Sequence, residues 1–187
     1  MFVSKLYTDN WTGNRNEENF IENPNLLQIE RAIFKLDGKI RTLVSLEADD
    51  DSYMMIGGGN SGFSGEYVVT ATLDNYNFYS LLHQPNYDIS KLYHSYKTVI
   101  SLIKLSEMLK KQKNNADSQK DKIIVVTPKL SRSEPIKKLV VGGQLGNYPS
   151  QMCVNLPQCL IAAITFAESG ELQPLFNWEE DQSLVTV

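Results

Sequence analysis

Residues 42–56 read Thr42-Leu43-Val44-Ser45-Leu46-Glu47-Ala48-Asp49-Asp50-Asp51-Ser52-Tyr53-Met54-Met55-Ile56, and this stretch decides the fold. Two β-rich runs, Thr42 to Leu46 and Ser52 to Ile56, flank Ala48-Asp49-Asp50-Asp51, which has the length and composition of a hairpin turn. Strands joined this tightly run antiparallel, because a parallel pair needs a crossover of about a dozen residues. The pattern continues downstream. Gly57-Gly58-Gly59-Asn60-Ser61-Gly62 interrupts it, Glu66 to Leu73 returns with Tyr67, Val68, Val69, Thr70 and Thr72, Asp74-Asn75 marks a turn, and Asn77 to Leu82 is a further strand. Short strands on tight connections make an antiparallel meander.

Working outward, residues 2–8 alternate and predict another strand, and the Asn- and Glu-rich residues 9–23 predict a loop. Asn23-Pro24 then opens a helix, with Asn as the cap and Pro in a first turn that needs no N–H donor. Leu26, Leu27, Ile29, Ala32, Ile33 and Leu36 give it one apolar face, and Asp37-Gly38 ends it. Near the C-terminus, Leu139 to Val141 is a strand before Gly142-Gly143-Gln144, and Met152 to Leu156 is another. Pro157 opens a second helix carrying Leu160, Ile161, Ala163, Ile164 and Phe166, closed by Glu168-Ser169-Gly170. The expected fold class is α+β: a mainly antiparallel sheet of about five to seven strands with these helices on one face. A further helix, about 89–113, carries a stripe of Ile89, Leu92, Tyr93, Tyr96, Val99, Ile100 and Ile103. Residues 114–122 hold no large apolar side chain and are expected to be mobile, and Ile123 to Val126 is a short β-branched run.

The chain's 187 residues suit one domain, 1–187, with a basic helical insertion at about 86–135. Apolar residues at 42% and charged residues at 21% are those of a globular protein and exclude disorder or a fibrous repeat. Cys153 and Cys159 form no CxxC pair and there are two histidines, too few for a structural zinc site. The cysteines are read as small apolar residues in a reducing compartment. The N-terminal residues lack a signal-peptide pattern and no run of about 18 apolar residues occurs, so a cytoplasmic protein with no membrane contact is expected.

The net charge of −4 conceals a division. Residues 89–138 hold 12 Lys or Arg against 4 Asp or Glu, a local +8, while the remainder holds 6 against 18, a local −12. The overall acidity weighs against a dedicated nucleic-acid binder.

No catalytic constellation emerges. His83 follows Leu81-Leu82 at a strand end and His94 lies in the inserted helix, neither within a triad or metal motif, and Cys153 has no nucleophile signature. Gly57-Gly58-Gly59 lacks the GxxxxGK[ST] spacing, and another strand follows it where a dinucleotide fingerprint needs a helix. These glycines are read as a turn needing positive φ. Glu47-Ala48-Asp49-Asp50-Asp51 lacks the alternating ligands of a calcium loop; it reads as a solvated turn, or as an acidic patch facing a basic partner. No enzyme activity, metal or cofactor is expected.

Several pieces recur in a distinctive order: Leu36-Asp37-Gly38, Ile56-Gly57-Gly58-Gly59, Tyr67-Val68-Val69, Val141-Gly142-Gly143-Gln144, Tyr148-Pro149, Phe166, Ser169-Gly170 and Trp178. Over most of residues 23–179 the chain resembles the first-numbered immunity-protein family (Imm1-type) of bacterial polymorphic toxin systems. Residues 86–135 depart from that pattern, because family members are shorter there. The resemblance implies a non-enzymatic antidote that binds a cognate toxin domain, often a nuclease or nucleic-acid deaminase, and occludes its active site. The residues expected to meet the toxin are the acidic Glu47, Asp49, Asp50 and Asp51 and the aromatic Tyr53, Phe63 and Tyr76. Gly57, Gly58, Gly59, Gly142, Gly143 and Gln144 are expected to shape turns. Two other readings remain: a small-anion or nucleotide-binding domain using the IGGG loop, and a nucleic-acid binder using the basic insertion.

Overall fold

A computed structural model of the chain describes residues 1–48, 51–59, 66–84 and 135–181. The described strands are β1 (Lys5–Thr8), β2 (Trp11–Thr12), β3 (Arg15–Asn16), β4 (Asn19–Glu22), β5 (Leu43–Glu47), β6 (Tyr53–Gly58), β7 (Glu66–Thr72), β8 (Phe78–Leu81), β9 (Ile136–Val141), β10 (Gln144–Pro149), β11 (Val154–Asn155) and β12 (Trp178–Glu180). The helices are α1 (Leu26–Phe34) and α2 (Leu156–Ser169). All these elements belong to one unit, Met1–Tyr87 with Ile136–Val187.

The predicted meander is the centre of the main sheet, whose order is β12-β8-β7-β6-β5-β1-β4, with β11 added beside β7. Every pairing in it is antiparallel. The register sorts the side chains by parity. Leu6, Leu46, Met54 and Ala71 form one row across four strands, and Val44, Ile56 and Val69 the next, all at most 1% exposed. This is the helix-facing side. The fold is therefore α+β and mainly antiparallel, as expected, with more strands than the five to seven read from the sequence because short polar segments join in.

α2 lies deepest. All ten residues from Gln158 to Ala167 are buried, which fits a helix that is apolar around its whole circumference. It packs on β6, β7 and β11 on one side and α1 on another. The N-terminal residues close over its end. Phe2 and Val3 N–H groups both donate to Ala167 O (2.8 and 3.3 Å), and the Phe2 ring meets Phe166 edge-on at 5.8 Å.

Three boundaries differ from the sequence reading. Residues 9–23, expected as a loop, form the β2–β3 ribbon and the edge strand β4. Their polar composition hid this: an edge strand needs no continuous apolar face, and Asn16 stitches the ribbon by accepting from Asn10 N–H (3.0 Å) and donating to the Tyr7 hydroxyl (3.1 Å). The cap of α1 is Asn25, not Asn23. Asn25 accepts from Gln28 N–H (3.0 Å) while Gln28 Oε1 accepts from Asn25 N–H (2.8 Å), a closed capping box that Asn23, at φ 48°, cannot make. The strand expected over Met152 to Leu156 is reduced to Val154–Asn155, and the last acidic stretch contributes β12 at the sheet edge. The expected helix at 89–113, the mobile stretch 114–122 and the run Ile123 to Val126 lie outside the described residues.

The other side of the sheet is partly covered by the β9–β10 hairpin, turned by Gly142 (φ 59°) and Gly143 (φ 77°). Two positive φ values in a two-residue turn are what a tight hairpin of this twist demands. Leu139 packs on Val68 with Cys153 and Tyr148, Lys137 pairs with Glu66, and Val141 lies directly over Gly57.

A single buried carboxylate ties this hairpin to the sheet. Asp9, 1% exposed, accepts from Thr42 N–H (2.7 Å), Leu43 N–H (2.9 Å), Trp11 Nε1–H (2.8 Å) and the Thr42 hydroxyl. The Thr42 hydroxyl oxygen in turn accepts from Gly143 N–H (2.7 Å). The Trp11 ring lies against Gly143, in the space that a Cβ there would take.

α2 begins with the same Asn-x-x-Gln spacing as α1, but its box is open. Asn155 accepts from Gln158 N–H (2.9 Å), yet Asn155 also belongs to the β11–β7 ladder, and both polar atoms of the fully buried Gln158 amide lack a hydrogen-bond partner.

Two stability outcomes follow. Asp9→Ala strands several donors and should cost on the order of 3 kcal/mol in urea unfolding. Gln158→Met removes an unsatisfied amide at similar volume and should raise stability by about 1 kcal/mol in the same assay; a loss would mean that the amide is hydrogen-bonded in solution.

Candidate functional site

The β5–β6 and β7–β8 turns emerge at the same end of the sheet, because Glu47 is in register with Tyr53, Tyr53 with Thr72, and Thr72 with Phe78. Ser52 locks the two turns together by donating its hydroxyl to Leu73 O (2.7 Å). This end lies on the face opposite α1 and α2, beyond the reach of the β9–β10 hairpin's pairing with Gly57, Glu66 and Val68.

The structure thus brings together four of the residues expected to meet a partner. Glu47 and Tyr53 are cross-strand neighbours, Asp51 is exposed in the turn between them at φ 67°, and Tyr76 projects from the next turn at 82% exposure. Asp49, Asp50 and Phe63 lie outside the described residues. Two residues the sequence reading did not single out complete the cluster. Phe78 meets the Tyr53 ring edge-on at 6.3 Å, and Asp74 organises the turn that carries Tyr76.

That turn is held in one shape before any partner arrives. Asp74 Oδ1 accepts from Tyr76 N–H (3.0 Å) and Asn77 N–H (2.8 Å), Asp74 Oδ2 accepts from Asn77 Nδ2 (2.8 Å), and Thr72 Oγ1 accepts from Asn75 N–H (2.9 Å). The hydrogen bonds from Asn77 and Tyr76 hold the Asp74 carboxyl below the usual aspartate range. A turn fixed in this way presents Tyr76 with less ordering cost on binding.

Further acidic groups extend the rim. Glu179, in register with Ser80, is on the patch face, while Glu180, in register with Tyr79 and through it Ala71, is on the helix-facing side; with Asp181 and Met152 they line a depression at the β12 edge. Lys5, in register with both Glu22 and Glu47, is the cation of this row. The surface is acidic, with the half-buried aromatics Tyr53 and Phe78 at its centre.

The glycine motifs do structural work. Gly57 accommodates Val141, Gly58 (φ 99°) abuts the Glu66 carbonyl oxygen, and Gly59 (φ 86°) abuts that of Leu36, while Gly59 N–H donates to Glu66 O (2.9 Å). The space above Gly58 and Gly59 is filled by carbonyl oxygens, which repel an anion. Gly142 and Gly143 make the hairpin turn and Gln144 starts β10, exposed. Burial pushes both the Cys153 and Cys159 thiols up, away from the thiolate form a nucleophile needs. His83 is exposed, and no group of three His, Cys, Asp or Glu among the described residues is placed to hold a metal ion. No helix among the described residues is long and apolar enough to cross a membrane.

The lowered Asp74 pKa has a checkable sign. The turn's hydrogen bonds contribute above the ordinary aspartate pKa and are lost as the pH falls through the depressed one. The Tyr76 and Asn77 amide resonances should therefore titrate together, with a midpoint below that of an ordinary aspartate. Asp74→Ala should abolish that titration and broaden or shift both amides at neutral pH.

No protein-family model, no curated protein and no solved structure matches the chain.

Proposed function

We propose that this chain is an immunity protein of the Imm1 type, which binds a cognate bacterial toxin domain and blocks access to its active site. The observation that carries the reading is the sheet end where Glu47, Asp51 and Asp74 surround Tyr53, Phe78 and the pre-ordered Tyr76. A nuclease or nucleic-acid deaminase must present a basic surface to its substrate, and an acidic patch competes for that surface. Carboxylates steer the encounter and set its salt dependence, while aromatic side chains desolvated at the centre supply most of the residence time. Occlusion of this kind needs no reacting group on the inhibitor. The resemblance in the order of LDG, IGGG, YVV, GGQ and the final Trp178 supports the same reading, and the cytoplasm, where a producing cell must be protected, is the place it assigns.

The decisive experiment pairs this protein with the C-terminal domain encoded by the neighbouring gene. A stable complex on gel filtration and survival of cells co-expressing both are expected; no complex and no rescue would end the proposal. Within a complex, Tyr76→Ala should weaken binding about 30-fold, in the range of interface hot spots. Glu47→Lys should mainly slow association and flatten its salt dependence. Unchanged affinity in both variants would move the interface to another face.

A further inference from the structure

The acidic body carries six basic residues outside 89–138: Lys5, Arg15, Arg31, Lys35, Lys39 and Arg41. Three of them, Arg31, Lys35 and Arg41, line one cavity of about 220 Å³ on the helix-facing side of the sheet, between α1 and the β4-β1-β5 edge. With Lys137 and Lys138 on β9 the described unit holds eight Lys and Arg residues, and three of the eight share this one opening.

The cavity follows from side-chain lengths. Gln28, Arg31, Ala32 and Lys35 fall at i, i+3, i+4 and i+7, one stripe of α1, beside the stripe of Ile29 and Ile33 that enters the core. The stripe faces Thr8 and Asn19, partners in the β1–β4 register. Ala32, Thr8 and Asn19 are too short to meet across the gap. Leu6, Leu36 and Val44 close the bottom with apolar surface.

No salt bridge ties up the rim among the described residues: Arg31, Lys35 and Arg41 make no ion pair, and the one such pair there is Lys137 with Glu66, on the other face. Asp37 lies within the field of Arg41, and its Oδ1 already accepts from the N–H groups of Lys39, Ile40 and Arg41 (2.8, 2.9 and 3.0 Å). Gln28 uses its Oε1 on the α1 cap, which leaves its two Nε2 donors, and Thr8 and Asn19 add polar groups. Complementing the C-terminal end of the α1 dipole accounts for Arg31 in the last turn, but not for Arg41, which comes from the chain leading into β5.

We propose that this cavity binds a small organic phosphate, with the dianionic head held by Arg31, Lys35 and Arg41 and a compact apolar group on Leu6, Leu36 and Val44. Two guanidinium forks and an ammonium more than balance a phosphate dianion in charge, supply donors for all of its oxygens, and exceed what a carboxylate uses. A cavity of about 150 Å³ holds a benzene ring, so the volume here admits a ring-sized group beside a phosphate. The site is on the opposite face of the sheet from the acidic patch, so it stands or falls separately from the toxin-binding reading.

The test is calorimetric titration of the full chain with phenyl phosphate, alongside inorganic phosphate, phenol and benzoate. Saturable binding of phenyl phosphate, at least tenfold tighter than any of the other three, is expected. Arg31→Gln and Arg41→Gln should each weaken it about tenfold. Ala32→Leu should abolish it by filling the gap, with an unchanged near-ultraviolet dichroism spectrum confirming the fold. Equal binding of inorganic phosphate or of benzoate would overturn the assigned ligand class. Binding that survives both Arg31→Gln and Arg41→Gln would place it on the basic 89–138 segment and overturn the site, as would no binding at all.

Discussion

The buried Asp9 carboxylate is the interaction on which the rest of the described unit depends. It collects two backbone N–H groups at the start of β5, the Trp11 indole of the β2–β3 ribbon and the Thr42 hydroxyl, and through Thr42 it reaches Gly143 N–H in a turn 101 residues further along the chain from Thr42. A carboxylate removed from water is costly unless its lone pairs are satisfied, and here four donors converge on it. The arrangement brings three remote segments to one point. It also makes Gly143 obligatory, since Trp11, held by Asp9, occupies the place a side chain would take. Once that turn is seated on the sheet, Val141 comes down over Gly57 and Lys137 over Glu66, so a hairpin distant in sequence becomes the second layer of one end of the sheet.

The two faces that result have opposite chemistry. On one, α1 and α2 exclude water from rows of Leu, Val, Ile and Met, and leave a gap where Ala32 is too short to reach Thr8 and Asn19. On the other, the β9–β10 hairpin covers only part of the sheet, and the remaining end carries carboxylates around Tyr53 and Phe78. Both local features are prepared rather than fluid. The Tyr76 turn is fixed by Asp74 and Thr72, and the approach to Arg41 is fixed by Asp37, a single carboxylate oxygen gathering consecutive N–H groups in each case.

Much of this was legible in advance. The β5–β6 hairpin, the β7–β8 turn at Asp74-Asn75, the Gly142-Gly143 reversal and the Gly170 helix stop each depend on residues adjacent in sequence, and the structure places each where the local chemistry puts it. The candidate surface was legible in part. Glu47, Asp51, Tyr53 and Tyr76 were marked by charge and by position beside turns, but Phe78 reads from sequence as one more strand residue, and Asp74 as a turn residue and nothing else. The β2–β3 ribbon and β4 were missed because their stability comes from partners outside the segment. Asn16 reaches Tyr7, and β4 leans on β1, where Phe20 meets the Tyr7 ring and Ile21 pairs with Leu6.

The sequence by itself determined the fold class, the antiparallel meander, the helix stops and the glycine turns, because each is fixed by steric and hydrogen-bonding demands within a few residues. It also determined the division of charge between residues 89–138 and the rest of the chain. Which Asn caps α1 was equally written there, in Gln28 three residues after Asn25, and needed only the capping box to be read. The tertiary structure alone decided that Asp9, Trp11, Thr42 and Gly143 share one network, that Glu47, Asp74 and Tyr76 share one end of the sheet, and that Arg31, Lys35 and Arg41 share one cavity. These groupings join residues separated by turns and whole strands. They are set by strand register and by the space left between a helix and a sheet, quantities that no local stretch of sequence carries.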